Sequence, residues 1–110
     1  MQQSITPDTV MQTEWLEIQE AQQQPANFRP LYDRYYKSVY EFVYRRTGDK
    51  ELSGDLCAQV FLKALEHLGN YTFKGVPFSS WLFRIASNEV AQHYRNTQKM
   101  RVVSVEEIDL

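Results

Sequence analysis

The spacing of apolar residues along the chain predicts four helices and almost nothing else. Met11, Trp15 and Ile18 recur at helical intervals behind Thr6-Pro7, an N-cap followed by proline at the first helical position. Gln22-Gln23-Gln24-Pro25 reads as the end of that helix and a short connector. Asn27 is placed to cap a second helix, and Pro30 is tolerated in its first turn. This helix carries Phe28, Leu31, Tyr32, Tyr35, Tyr36, Val39, Tyr40, Phe42, Val43 and Tyr44. It is apolar on more than one face, which predicts a central place in a bundle. Gly48 is expected to end it in a left-handed cap, and Asp49 to cap the third helix. There Leu52, Leu56, Val60, Ala64 and Leu68 form a stripe, with Phe61 and Leu65 beside it. Gly69-Asn70 stop the third helix, and a loop, YTFKGVP, follows. Pro77 is expected to begin a fourth helix running to about Gln98. Only Val102-Val103-Ser104-Val105 reads β-like, and no internal repeat is present. The expected fold is all-α: a compact bundle of three core helices plus an N-terminal one.

The fourth helix poses a question of its own. In its opening, FSSWLFRIASN, Ser80, Arg84 and Asn88 fall on one stripe. Phe78, Trp81, Leu82, Ile85 and Ala86 fall on the other side, where Trp81 is expected in the core. The polar stripe faces either water or a ligand.

Charge distribution favours the ligand. The net charge of the 110 residues is −2, but it is segregated. Residues 1–28 hold Asp8, Glu14, Glu17 and Glu20 and no cation. Residues 69–101 hold Lys74, Arg84, Arg95, Lys99 and Arg101 against Glu89 alone. One concentrated basic block argues for an anionic partner more than the total argues against one. The aromatic share, 14%, is high: most of the seven Tyr and six Phe must pack against something, and any exposed ones could stack on a partner.

Other chemistry is thin. There is no glycine-rich phosphate loop, His-Glu metal motif or nucleophile elbow, so neither an enzyme nor a cofactor or metal is expected. His67 reads as a solvated or packing residue, and His93 lies in the basic block, within reach of a phosphate. The single cysteine, Cys57, excludes an internal disulfide and fits a reducing cytoplasm; a buried small hydrophobe is expected. No apolar run reaches the ~18 residues of a membrane span, so a soluble cytoplasmic protein is expected.

The basic block suits nucleic acid. Tyr71, Phe73 and Lys74 lead into a helix bearing Ser79, Ser80, Arg84, Ser87, Asn88, Gln92, His93 and Arg95, followed by Lys99 and Arg101. Arg and Lys neutralise phosphates, Ser and Asn bond phosphate oxygens or base edges, and aromatic rings stack on unpaired bases. On composition alone an ordinary charged surface helix reads equally well.

Three blocks tip the balance. Leu31-Tyr32-Asp33-Arg34-Tyr35-Tyr36, Asp55-Leu56 through Val60-Phe61-Leu62-Lys63-Ala64, and Phe78-x-x-Trp81-Leu82-x-x-Ile85-Ala86-x-Asn88 follow in order. Over about residues 26–97 the chain resembles region 2 of the sigma-70-like family, and within it the extracytoplasmic-function (ECF) class of bacterial sigma factors. Each block is short and degenerate; their order and spacing make the resemblance specific. It implies that the second-block helix binds the clamp helices of the RNA polymerase β′ subunit. Asp55, Leu56, Gln59, Val60 and Lys63 would carry that contact. It also implies that the loop and fourth helix recognise the promoter −10 element on the single non-template strand, help melt the duplex and capture a flipped base. Tyr71, Phe73, Lys74, Ser79, Ser80, Arg84, Asn88, Gln92, His93, Arg95, Lys99 and Arg101 would face the DNA. An anti-sigma factor, if one exists, would be a further partner.

Two departures stand out. Where the family usually has Gln-Glu before its Val-Phe, this chain has Ala58 and Gln59. Glu89 directly follows Asn88, and Arg84 or a helix neighbour is expected to offset it. The expected organisation is an N-terminal helix and connector (1–25), the region 2-like domain (26–98) and the acidic start of a linker (99–110) to a helix-turn-helix domain beyond this fragment. The competing function is a helical interaction module, an adaptor or anti-sigma partner that uses the tyrosine-rich helix and no DNA.

Overall fold

The computed structural model describes residues 7–108, with side chains over 9–100. The expected Thr6 cap, the side chain of Arg101 and the acidic terminus lie outside that range. Four α-helices order the described chain: α1 (Pro7–Gln23), α2 (Arg29–Thr47), α3 (Lys50–His67) and α4 (Phe78–Ile108). No strand occurs among the described residues, so the fold is all-α, as the sequence implies.

Local chemistry explains most boundaries. At the α2–α3 corner Gly48 takes φ 68° and donates its N–H to the Tyr44 carbonyl at 2.8 Å. That left-handed conformation suits glycine, which has no Cβ to clash. Asp49 then caps α3, its carboxylate accepting the Leu52 N–H at 3.0 Å. Asn27 does not cap α2. It lies inside a 3-10 turn, Pro25–Phe28, that runs directly into α2, so Pro25 and Pro30 set the entry instead. At α4, Pro77 stands just before the first helical residue and its carbonyl accepts the Ser80 N–H at 3.0 Å.

α4 continues past Gln98 to Ile108, so the β-like run 102–105 is helical. Extending a formed helix needs no new nucleus, and the β-branched penalty is only a few tenths of a kcal/mol per residue.

The core forms where α2, α3 and α4 pack on one another. Leu31, Val39 and Val43 of α2, Cys57, Val60 and Ala64 of α3, and Leu82 and Ala86 of α4 have no exposed surface. Truncating one of the larger of these should cost about 2–5 kcal/mol. The α3 stripe is buried as expected at Leu56, Val60, Ala64 and Leu68, with Phe61 beside it, but Leu65 is 40% exposed. The second apolar face of α2 is not buried by a central position. It is a ladder of tyrosines, Tyr32, Tyr36, Tyr40 and Tyr44, with successive rings 5.3–6.3 Å apart. Phe61 supports its first two rungs.

α1 docks on this core. Ile18 and Ala21 are buried, and Arg34 of α2 donates to Glu14 at 2.7 Å and Glu17 at 2.9 Å. The Tyr35 hydroxyl donates to the same Glu14 carboxylate at 2.6 Å. Hydrogen bonds to Glu17 and Glu14 raise the Arg34 pKa further above its ordinary value, and burial followed by the Glu14 bond raises that of Tyr35.

Candidate nucleic-acid interface

A 3-10 turn, Leu68–Asn70, follows α3, and residues 71–77 lead from it to α4 without regular structure. Gly75 bends this loop at φ 79°, in open space; the conformation, not crowding, calls for glycine there. Tyr71 anchors the near end. Its ring lies edge-on to Phe78 at 5.2 Å, against Trp81 at 5.1 Å and edge-on to Trp15 at 5.9 Å. Burial raises its phenol pKa, with the Glu14 charge adding to the effect. Phe73 stacks on Trp15 at 6.3 Å. Tyr71 lines the adjoining pocket, whereas Phe73, expected to face a ligand, is turned to Trp15 and does not line it.

Between this loop and the first turns of α4 lies a pocket of about 340 Å³. Asn70, Tyr71, Thr72, Lys74 and Val76 line it from the loop side, and Ser80, Trp81 and Arg84 from the helix. Its size is in the usual range for small-molecule sites, about 300–1,000 Å³. Polar donors, two cations and two aromatic faces converge there. Among the described residues no carboxylate pairs with Lys74 or Arg84, whereas Arg29, Arg34 and Lys63 are all paired.

The structure thus brings Tyr71, Lys74, Ser80 and Arg84 together. Asn88 is exposed one turn beyond Arg84 and does not line the pocket. Ser79 is half-buried beside it. Further along α4, Gln92 and Arg95 spend their side chains on each other at 2.7 Å, and Gln92 also donates to Asn96 at 2.9 Å. His93 is half-buried, edge-on to Tyr94, and Lys99 is exposed. Asn70, Thr72, Val76 and Trp81 are pocket residues that sequence reasoning missed. Trp81 was expected in the core; it is half-buried and presents its remainder to the pocket.

Glu89 is the main correction on this helix. It faces inward, 8% exposed, and pairs with Lys63 of α3 and not with Arg84 or another neighbour on α4. The polar stripe of α4 is therefore free of negative charge from Ser80 to Arg95.

A second surface lies on α3. Asp55, Ala58, Gln59, Leu62 and Leu65 are exposed at helical spacing, flanked by Glu51 and Glu66. Leu62 is 50% exposed. Three residues expected at the polymerase contact are placed otherwise. Leu56 and Val60 are core side chains, 8% and 0% exposed, so they support this face from behind. Lys63 is turned toward α4 by Glu89. Leu62 is not singled out by the sequence reading, which places Leu65 beside the core stripe; an apolar residue out of phase with that stripe is the signal that could have found Leu62.

Residues 31–100 match the family model described as Sigma-70 region 2. The chain belongs to the sigma-70 region 2 family. Its curated relatives include the ECF RNA polymerase sigma factor BldN of Streptomyces coelicolor, 39% identical over 83 residues, covering 74% of this chain and 31% of the relative. The ECF RNA polymerase sigma factor SigM of Bacillus subtilis is 32% identical over 74 residues, 67% of this chain and 44% of that protein. The RNA polymerase sigma factor YlaC of the same organism is 32% identical over 76 residues, 68% and 43% respectively. The region 2 domain is accordingly of the ECF class. The chain spans less than half the length of these relatives. No solved structure matches it. Among the described residues no helix is long and apolar enough to cross a membrane.

Proposed function

We propose that this region 2 domain docks on core RNA polymerase through the exposed face of α3. The pocket under the 71–77 loop would then hold an unstacked base of the promoter −10 element. The observation that carries this reading is the pocket itself. Lys74 and Arg84, unpaired among the described residues, stand at a cavity walled by Tyr71 and Trp81 and furnished with Asn70, Thr72 and Ser80. A flipped base needs aromatic or apolar faces to lie against and a few donors for its edge. Its flanking phosphates need cations. The exposed α4 stripe beyond Arg84 supplies a path for the continuing strand through Asn88 and Gln92.

Fluorescence anisotropy with labelled single-stranded dT oligonucleotides of about twelve nucleotides, each with one guest base, tests this. Affinity should fall steeply with salt, one guest base should bind best, and duplex of the same sequence should bind more weakly. Salt-independent binding, or none, would favour the helical interaction module.

A further inference from the structure

α1 lies outside the matched residues 31–100, yet its contacts converge on the pocket loop. Gln22 spends both hydrogens of its side-chain amide on main-chain carbonyls, Leu68 at 2.8 Å and Tyr71 at 2.9 Å. Those carbonyls belong to the first residue of the 3-10 turn Leu68–Asn70 and to the residue just after it, where the loop begins. Seven residues earlier, two turns back along the same helix, Trp15 covers the rings of Tyr71 and Phe73.

Beyond the contacts of the Tyr71 ring with Phe78 and Trp81, the loop has little else to hold it. Among the described residues its main-chain hydrogen bonds lie at its two ends: the Tyr71 N–H to the Leu68 carbonyl and the Ser80 N–H to the Pro77 carbonyl. Residues between those bonds have no ladder of their own, so side chains from outside must fix the course of the backbone. Docking of α1 as a whole is secured elsewhere, by Ile18, Ala21 and the Glu14–Arg34–Tyr35 cluster. Gln22 and Trp15 are therefore available for a local task.

We propose that α1 is a brace for the recognition loop, with Gln22 and Trp15 as positioning residues that set where Tyr71 and Lys74 stand at the pocket. The functional half of this statement rests on the pocket being a base site; the mechanical half does not. Base selection would then depend on a helix outside the family-defining segment, and sequence changes in α1 would retune the pocket without touching DNA.

Two readouts on the whole chain separate the halves. In Gln22→Met the length of the side chain is kept and both donors are lost; in Trp15→Ala the ring is lost, and Trp15→Phe keeps an aromatic face. Hydrogen exchange at the loop's protected amide, that of Tyr71 on the Leu68 carbonyl, should speed up about tenfold in Gln22→Met and Trp15→Ala, since one or two weak contacts hold that site. The amides of Val43 and Val60 should stay protected, and Trp15→Phe should behave as wild type. In the guest-base assay the same two variants should lose the preference for the best base, with the salt dependence of binding unchanged. Loop exchange that stays at the wild-type rate in both variants overturns the brace. Faster loop exchange with an undiminished base preference overturns its role in recognition. A wild-type chain that shows no base preference removes the pocket reading, and the exchange result still decides the brace.

Discussion

Lys63 of α3 and Glu89 of α4 form an ion pair across the helix interface, and the pair turns the one carboxylate between Ser80 and Arg95 away from the polar stripe of α4. The Glu89 side chain is only 11% exposed and that of Lys63 45%. Replacing Lys63 by Met would strand a nearly buried carboxylate. The expected loss is about 1–3 kcal/mol, toward the low end because water screens the lysine side. Lys63→Met with Glu89→Gln should recover most of it. Urea unfolding followed by circular dichroism measures this; a single variant with the wild-type midpoint would mean the pair contributes nothing.

The pocket cations make a different kind of prediction. Arg84 and Lys74 carry charges at the pocket that no carboxylate among the described residues pairs, whereas Asn88 is neutral and lies beyond it. Arg84→Ala and Lys74→Ala should each reduce the slope of log affinity against log salt by about 0.7, the release expected for one phosphate contact on a single strand. Asn88→Ala should leave the slope alone and weaken all guest bases or a neighbouring one. A slope that none of the three moves would place the DNA elsewhere on the surface.

On α3 the exposed and buried residues of one helix should separate docking from folding. Leu62→Asp puts a charge on a half-exposed side chain and is expected to leave the helical circular dichroism spectrum intact. It should nonetheless abolish capture by a purified β′ clamp-helix fragment. Leu56→Asp places a charge in the core and should unfold the domain. Retained capture by Leu62→Asp would mean that α3 docks through another face, or not at all.

How much of this was legible in the sequence follows the range of the interactions. The Gly48 and Asp49 caps and the α3 stripe depend on residues within a few positions, and the pattern carries them. Tyr71, Lys74, Ser80 and Arg84 were legible as one basic-aromatic block because loop and helix are adjacent in the chain. The partner of Glu89 was not, since Lys63 is distant in sequence and only helix packing brings it there. Gln22 has two chain carbonyls as partners, and no residue type advertises a carbonyl acceptor. The course of α4 through 102–105 shows the opposite failure: a local β preference overruled by a helix already under way.

Cys57 supplies the pH prediction. It has no exposed surface, and burial pushes its thiol up to about 11 from an ordinary value near 9. The folded state therefore holds the thiol proton more tightly than the unfolded chain does. Its contribution is complete below about pH 9 and is lost as pH rises toward 11, with stability falling by at most about 1.4 kcal/mol per pH unit from this one group. Tyr35 and Tyr71, whose phenols burial also raises, extend the fall above pH 10. Thermal melts should accordingly hold level through pH 8 and drop between 9 and 11. Cys57→Ala should remove the part of the drop that begins near pH 9, leave the tyrosine part, and cost about 1 kcal/mol at neutral pH for the small cavity. Because Cys57 is the sole cysteine, a thiol reagent gives an independent reading. At pH 8 its reaction with the native chain should be slow and should accelerate in step with urea unfolding. Fast labelling of the folded protein would mean that the helix packing over Cys57 opens readily, and the pH drop should then be absent as well.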